Sequence, residues 1–357
     1  MPKIKVNRLN FCFAQPERRE AMGISKKWGV LFILVVVIVA LLIFGYNTLN
    51  DYKRSGELRV SGLKESVRVV RDEKGMPYIY AENEDDLFFA QGFVAAQDRL
   101  FSMVLVKRVV TGRLSESFGE KAKKNDIKMR TLGFFRNAVK HAGLLGSKDR
   151  NRFQKYVDGV NAYLDSQPET VHLKLKLAGI KPEKWDIAHS LAIVYYMGWG
   201  SSANLKDEII SQLLIEKLGA KKALEIFPLN FNPEEPTGNP LKISFNALKP
   251  LGSASAGLSN VLAFAGGNPL RVGSNNWVVS PSRSEGGKAV LANDPHLDTR
   301  ILPGPFYPAA LITPDFRAVG TIVAGFPGMV IGRTEHIASG ITNGYGDIQD
   351  LYVETVD

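Results

Sequence analysis

Residues 273–297 read GSNNWVVSPSRSEGGKAVLANDPHL. Asn276-Trp277-Val278-Val279 is a strand-type run, Glu285-Gly286-Gly287 supplies a turn, and Lys288-Ala289-Val290-Leu291-Ala292 reads as the return strand. Ser274 therefore opens one arm of a hairpin, directly after Gly273. That arrangement suits a self-cleaving bond. The serine hydroxyl must reach the carbonyl of the residue before it, and a glycine there has no Cβ in the way and tolerates a strained backbone. Cleavage leaves Ser274 with a free α-amine, whose pKa of about 7.7–8.0 keeps a useful neutral fraction near pH 7. The amine can act as base for its own hydroxyl, directly or through a water. One residue then supplies nucleophile and base. A Gly-Ser at a strand start is common, so spacing alone does not single out this chemistry.

Upstream of the hairpin the composition shifts after Ile226. Pro228, Pro233, Pro236, Pro240 and Pro250 are followed by GSASAGLSN and AGGNPLRVG, and such stretches rarely form regular elements. Residues 228–273 read either as a linker or as a removable spacer. Residues 65–227 read differently. Val67 to Asp72 and Pro77 to Ala81 flank Glu73-Lys74-Gly75 and predict a hairpin. Asn83 is placed to cap a helix from about Asp85 to Thr111, with an apolar stripe that includes Leu87, Ala90, Val94, Phe101 and Val104. Asp149–Leu164, Ala188–Trp199 and Asp207–Leu218 also read as helices. Pro182-Glu183-Lys184-Trp185 reads as a turn with an anchoring aromatic. The bland reading of this whole stretch is a helical scaffold.

At the N-terminus, residues 1–27 form a basic tail, with seven Lys or Arg against Glu17 and Glu20. Trp28 to Tyr46 carries no charge and would rise about 28 Å as a helix, close to a bilayer's hydrocarbon thickness. Lys26 and Lys27 precede it, which predicts a cytoplasmic tail with the remainder outside, in the periplasm. A cleavable signal peptide is the rival reading, although Gly45-Tyr46-Asn47-Thr48-Leu49 makes a poor cleavage site. Met22 begins MGISKKWG, a more usual start for such a segment. Residues 47–64 read as a tether.

The chain has 357 residues and a formal net charge of +9, part of it in the tail. A nucleic-acid reading of the basic balance has little support. The only cysteine is Cys12, so an intrachain disulfide is excluded, as is a cysteine zinc site. The five histidines show no HxxxH or HExxH spacing, which argues against a zinc hydrolase.

GSNNWVV, LANDPHL, GFPGMVIG and ITNGYGDIQDLYVE, in that order, resemble the penicillin amidase family of N-terminal-nucleophile hydrolases. VRVVRDEKGMPYIYAENEDDLFFAQGFVAAQDRLFSM and TGRLSESFG resemble the start of that family's α chain, so the resemblance covers about residues 65–357. It implies an α+β fold, the αββα sandwich, with the nucleophile at the start of a central strand. It implies self-cleavage at Gly273-Ser274, a spacer removed before Ser274, and a β chain that starts there. Ser274 matches the nucleophile. His296 matches a position beside it that is histidine in members acting on cephalosporins and acyl-homoserine lactones, with the implied role of holding the Ser274 region by hydrogen bonds. Asn343 matches the residue whose backbone N–H helps form the oxyanion hole. Glu208, Asp347 and Asp350, with the Gln349 carbonyl, match the ligands of a structural calcium ion, a cation that favours hard oxygen donors. Met329, Val330 and Ile331 match positions near the acyl pocket; Ile331 stands where phenylacetyl-specific members often carry an aromatic residue.

Two departures accompany the resemblance. Ser339 stands where many members have tryptophan. Ser274 to Asp357 is short beside the family's β chain, so the reading frame is expected to be partial and inactive by itself, with the second oxyanion donor, an asparagine side chain, beyond Asp357. The expected activity of the whole protein is hydrolysis of an acyl-amide bond in a small molecule, as in a penicillin or cephalosporin acylase. An acyl-homoserine lactone acylase is the alternative within that class. A non-catalytic membrane-tethered scaffold is the alternative outside it.

Overall fold

The computed structural model describes residues 26–49, 56–166, 172–202, 205–226, 273–296 and 304–343. Most of the basic tail (1–25), residues 50–55 of the expected tether and residues 228–272 of the expected spacer lie outside the described residues. Two units are present, residues 1–51 and residues 52–357.

In the first unit, Lys26–Leu49 forms α1, an unbroken helix of 24 residues. Its stretch Trp28–Gly45 is long and apolar enough to cross a membrane, and the same length and composition suit a signal sequence.

In the second unit, β1 (Arg68–Arg71) and β2 (Pro77–Tyr80) form the expected antiparallel hairpin. The Asp72 carboxylate closes its turn by accepting from the Lys74 and Met76 N–H groups. Asn83 then caps α2 (Glu84–Val110), its Oδ1 accepting from the Asp86 N–H at 2.9 Å. Asp86 is buried because its carboxylate has its own donors, the Lys64 and Glu65 N–H groups, both at 2.9 Å.

The helices that follow are α3 (Ser115–Phe118), α4 (Glu120–Leu132), α5 (Phe134–Leu144), α6 (Ser147–Ser166), α7 (Leu173–Leu177), α8 (Ile187–Ser202), α9 (Leu205–Leu218) and α10 (Ala220–Ile226). Their main core gathers Ala95, Ala96 and Met103 of α2 with Tyr156, Val160 and Tyr163 of α6 and Ala192 and Ile193 of α8. The turn before α8 holds by its aromatic, as its sequence predicts: Trp185 is buried and donates from Nε1 to the Ser190 Oγ at 2.9 Å.

The remaining strands are β3 (Gly273–Val279), β4 (Val290–His296), β5 (Phe306–Thr313), β6 (Phe316–Val323), β7 (Ile331–Thr334) and β8 (Ala338–Ser339). A six-stranded sheet runs β1-β2-β5-β6-β7-β8, and β2 pairs with β5 in parallel. This sheet therefore joins strands from both sides of the Gly273-Ser274 bond. α2 packs on it through Leu87, Ala90 and Val94 against Ile79 and Leu311, each of these side chains larger than alanine contributing about 1.5–3 kcal/mol by burial.

The class is thus mixed α+β. Among the described residues, β3 and β4 form a separate two-stranded sheet. Two strands offer too little area to bury a face, and Trp277, Val278 and Val290 accordingly stand exposed.

Candidate active site

Ser274 is the second residue of β3, half-buried and paired across the hairpin with Pro295. Its hydroxyl meets two groups from the segment after β8. The Asn343 N–H donates to Oγ at 3.2 Å. The Thr342 Oγ1 lies 2.7 Å from Oγ and also donates to the Ser274 carbonyl at 2.8 Å. A nucleophile candidate and a backbone donor, 69 residues apart in sequence, are thereby brought together.

Asn293 of β4 is what seats that segment. Its Nδ2 donates to the Ile341 carbonyl at 2.9 Å and to the Asn275 carbonyl at 3.1 Å, and its Oδ1 accepts from the Ile341 N–H at 3.0 Å. The side chain imitates a strand edge for Ile341, and the next two residues then fall beside Ser274. Neither Asn293 nor Thr342 is singled out by the sequence reading. Both lie inside stretches it quotes, LANDPHL and ITNGYG, but nothing in their spacing marks a clamp.

Gly273 pairs with His296, the last residue of β4. The strain allowed for at Gly273 is not what the structure holds: it takes regular strand backbone, and a Cβ added there would lie an ordinary 3.4 Å from the His296 Nδ1. The imidazole thus sits beside Gly273. Its Nε2 lies 3.0 Å from the Asp294 Oδ2, so the described hydrogen bond of this ring is to Asp294 and not to Ser274.

Met329 and Val330 lie in the connection between β6 and β7, and Ile331 opens β7. Met329 packs against two core clusters, one that includes Ile79 and Leu311 and one that includes Tyr307 and Ile322. Val330 packs on the main helical core, and its N–H donates to the Thr321 carbonyl at 2.9 Å. The connection is pinned from the helices. Gln91 of α2, fully buried, exchanges two hydrogen bonds with the Gly328 backbone. Tyr156 of α6 accepts from the Gly325 N–H at 2.9 Å, and burial pushes its phenol pKa well up, so the hydroxyl stays protonated. Gly325 and Gly328 have φ of 102° and 88°, values that favour glycine.

Of the four candidate calcium ligands, Glu208 lies in α9; its side chain, with Asp347, Gln349 and Asp350, lies outside the described residues. Among the described residues no group of three or more His, Cys, Asp or Glu is placed to hold a metal. The donor set itself, three carboxylates and a carbonyl, has the hard-oxygen chemistry that calcium takes.

The penicillin amidase family profile covers residues 66–357. The chain is 33% identical over 302 residues to the acyl-homoserine lactone acylase QuiP of Pseudomonas aeruginosa, covering 84% of this chain and 36% of that protein. It is 34% identical over 307 residues to the penicillin acylase 2 proenzyme of Pseudomonas sp. strain SE83, covering 84% and 39%. To the penicillin G acylase of Escherichia coli it is 27% identical over 343 residues, covering 81% and 40%. The chain thus spans 36–40% of the length of these relatives. Among solved structures, a thermostable penicillin G acylase from Alcaligenes faecalis aligns over 49% of this chain and 97% of that one, at 26% identity and a TM-score of 0.38. With a family profile spanning nearly everything after the N-terminal helix and tether, this chain belongs to the penicillin amidase family.

Proposed function

We propose that this protein is the precursor of an amidohydrolase that splits itself between Gly273 and Ser274 and then cleaves an acyl group from an amine. The observation that carries the reading is the Ser274 hydroxyl at the start of β3 with the Asn343 N–H directed at it, 3.2 Å away. In the uncleaved chain, Ser274 Oγ bonds to the Gly273 carbonyl carbon and the Gly273–Ser274 C–N bond breaks. The hydroxyl proton ends on the departing nitrogen, leaving an ester and a free amine. Water then adds to the ester, releasing the Gly273 carboxyl and restoring the hydroxyl. In the cleaved enzyme the α-amine takes the hydroxyl proton as Ser274 attacks a substrate amide, and delivers it to the leaving amine. The Asn343 N–H serves as one oxyanion donor, a contribution worth about 3–4 kcal/mol. His296, beside Gly273, keeps the strand start in place. Met329, Val330 and Ile331 shape the acyl side of the site. The β3–β4 hairpin is the beginning of the sandwich's second sheet.

The substrate is a linear acyl amide. The penicillin acylase relative supports a β-lactam side chain, and the similarity to the QuiP acylase supports an acyl-homoserine lactone as the second reading. α1 is an uncleaved single-pass anchor that leaves the second unit outside the cytoplasm; a chain beginning at Asp51 should move from the membrane to the soluble fraction. Glu208, Asp347 and Asp350, with the Gln349 carbonyl, would hold a calcium ion. Bound there, calcium supplies a structural cross-link between the two sides of the split bond.

The test is the full-length protein offered a panel of both substrate classes, with Ser274→Ala as control. Release of acyl acid by a chain split at Gly273-Ser274, lost in the unsplit Ser274→Ala chain, is the expected result. A Ser274→Ala chain that still splits, or a split chain that hydrolyses no amide, would overturn the reading.

A further inference from the structure

We propose that Thr342 is the positioning residue that orients the Ser274 hydroxyl for self-cleavage. The proposal rests on Ser274 as the self-cleaving residue. Before the cut, the Ser274 nitrogen is an amide and has no basic lone pair. The α-amine that serves the mature enzyme does not yet exist, so another group has to direct the hydroxyl in the first reaction.

The hydrogen bonds around Ser274 identify that group. The Ser274 carbonyl can only accept, so the single Thr342 hydroxyl proton goes to it, across 2.8 Å. With its proton committed, Thr342 Oγ1 can only accept from the second oxygen it touches, Ser274 Oγ at 2.7 Å. The serine proton is therefore turned toward Thr342. One lone pair of Ser274 Oγ accepts from the Asn343 N–H at 3.2 Å, and the other is left for the Gly273 carbonyl carbon. Thr342 is fixed at both ends by a single residue, and its backbone is fixed by the Asn293 clamp on Ile341. The bonds made and broken are those of the acyl shift given above. Thr342 sets the direction of the hydroxyl and is not consumed.

Splitting of the full-length chain is followed by denaturing gel for Thr342→Val, which keeps the shape and loses the hydroxyl, and Thr342→Ser, which does the reverse. The valine variant should split about tenfold more slowly, as expected for the loss of one neutral hydrogen bond in the transition state. The serine variant should split near the unsubstituted rate. Hydroxylamine, which cleaves esters, should not restore the valine variant, because its ester forms slowly. Thr342 is exposed, so the uncleaved valine chain should melt with the Ser274→Ala chain. Equal rates for valine and threonine would overturn the proposal. So would valine outpacing serine, rescue by hydroxylamine, or a valine chain that melts well below Ser274→Ala, each of which assigns Thr342 another role. Splitting by Ser274→Ala itself would instead remove the reading of Ser274.

Discussion

Gln91 and Gly328 are joined by two hydrogen bonds: the Gln91 Nε2 donates to the Gly328 carbonyl at 2.8 Å, and the Gly328 N–H donates to the Gln91 Oε1 at 3.0 Å. One side chain thus satisfies both backbone groups of a residue that lies beyond the Gly273-Ser274 bond. The tie is non-covalent and survives a cut at that bond. Gln91→Met keeps the volume and leaves both Gly328 groups without this partner. Each group so stranded costs about 1–3 kcal/mol, so the variant should lose about 2–6 kcal/mol of stability. Urea unfolding with an unchanged midpoint would show that water replaces the amide.

α2 and α6 cross at two glycines. A Cβ on Gly92 would come 2.0 Å from the Tyr156 carbonyl oxygen, and one on Gly159 would come 1.8 Å from the Phe89 carbonyl oxygen. Both obstacles are backbone, which cannot swing aside. In an exposed helix, Gly→Ala stabilises by up to about 1 kcal/mol; here the sign should reverse. Gly92→Ala or Gly159→Ala should destabilise by about 3 kcal/mol or more through overpacking. Thermal melting decides the sign directly.

His189 gives stability a pH dependence. Its ring stacks on Phe135 at 5.1 Å and lies 5.5 Å from Trp185, and its Nδ1 accepts from the Asp186 N–H at 2.9 Å. Burial, aided by the Lys107 charge, pushes its pKa down to about 4, against the opposing pull of Asp186 and Glu183. The unfolded chain binds this proton near pH 6.5, so between pH 6.5 and 4 it holds more protons than the folded one. Stability therefore falls as pH falls through that window, with a contribution on the order of 3 kcal/mol from this ring. His172, also pushed down to about 4 by burial, adds to the same slope. His189→Asn, with an amide oxygen in place of Nδ1, should flatten the slope of urea midpoint against pH. An unaltered slope would assign the effect elsewhere.

Much of the helical region is legible in the sequence because its signals are local. Asn83 caps the helix it precedes, and α2 spans nearly the predicted range, although residues 89–97 are buried on every side of the helix and not along one stripe. The hairpin that Ser274 opens does form, but its first strand begins earlier than read, at Gly273, and its return strand begins at Val290, two residues later than read, and runs on to His296. What is not legible is long-range. β5 and β6 carry no alternation that marks them, and the place of β5 beside β2 depends on a parallel pairing far along the chain. At the site, Ser274 stands out only through the ordered motifs that resemble the family, since a Gly-Ser at a strand start is common. Thr342 and Asn293 matter only through what folding sets against them, and a single threonine or asparagine in a loop or strand announces no partner.

Calcium, if held as proposed, should act on folding and not on the chemistry of Ser274. Asp347 and Asp350 offer two carboxylates three positions apart in sequence, and Glu208 would bring a third from the other side of the Gly273-Ser274 bond. Hard oxygen donors of that kind suit calcium, and an ion shared between them would oppose separation of the two chains after the cut. A ligand that binds only the folded form raises stability by about 2.7 kcal/mol at 100 times its Kd. Chelation should therefore lower the melting temperature of the full-length protein, calcium should restore it, and Asp350→Ala should abolish the response. The α-amine of Ser274 supplies the base in the proposed reaction, so chelated enzyme that is still folded should keep its turnover. Loss of turnover on chelation at a temperature where the fold persists, reversed by calcium, would place the ion in the reaction itself.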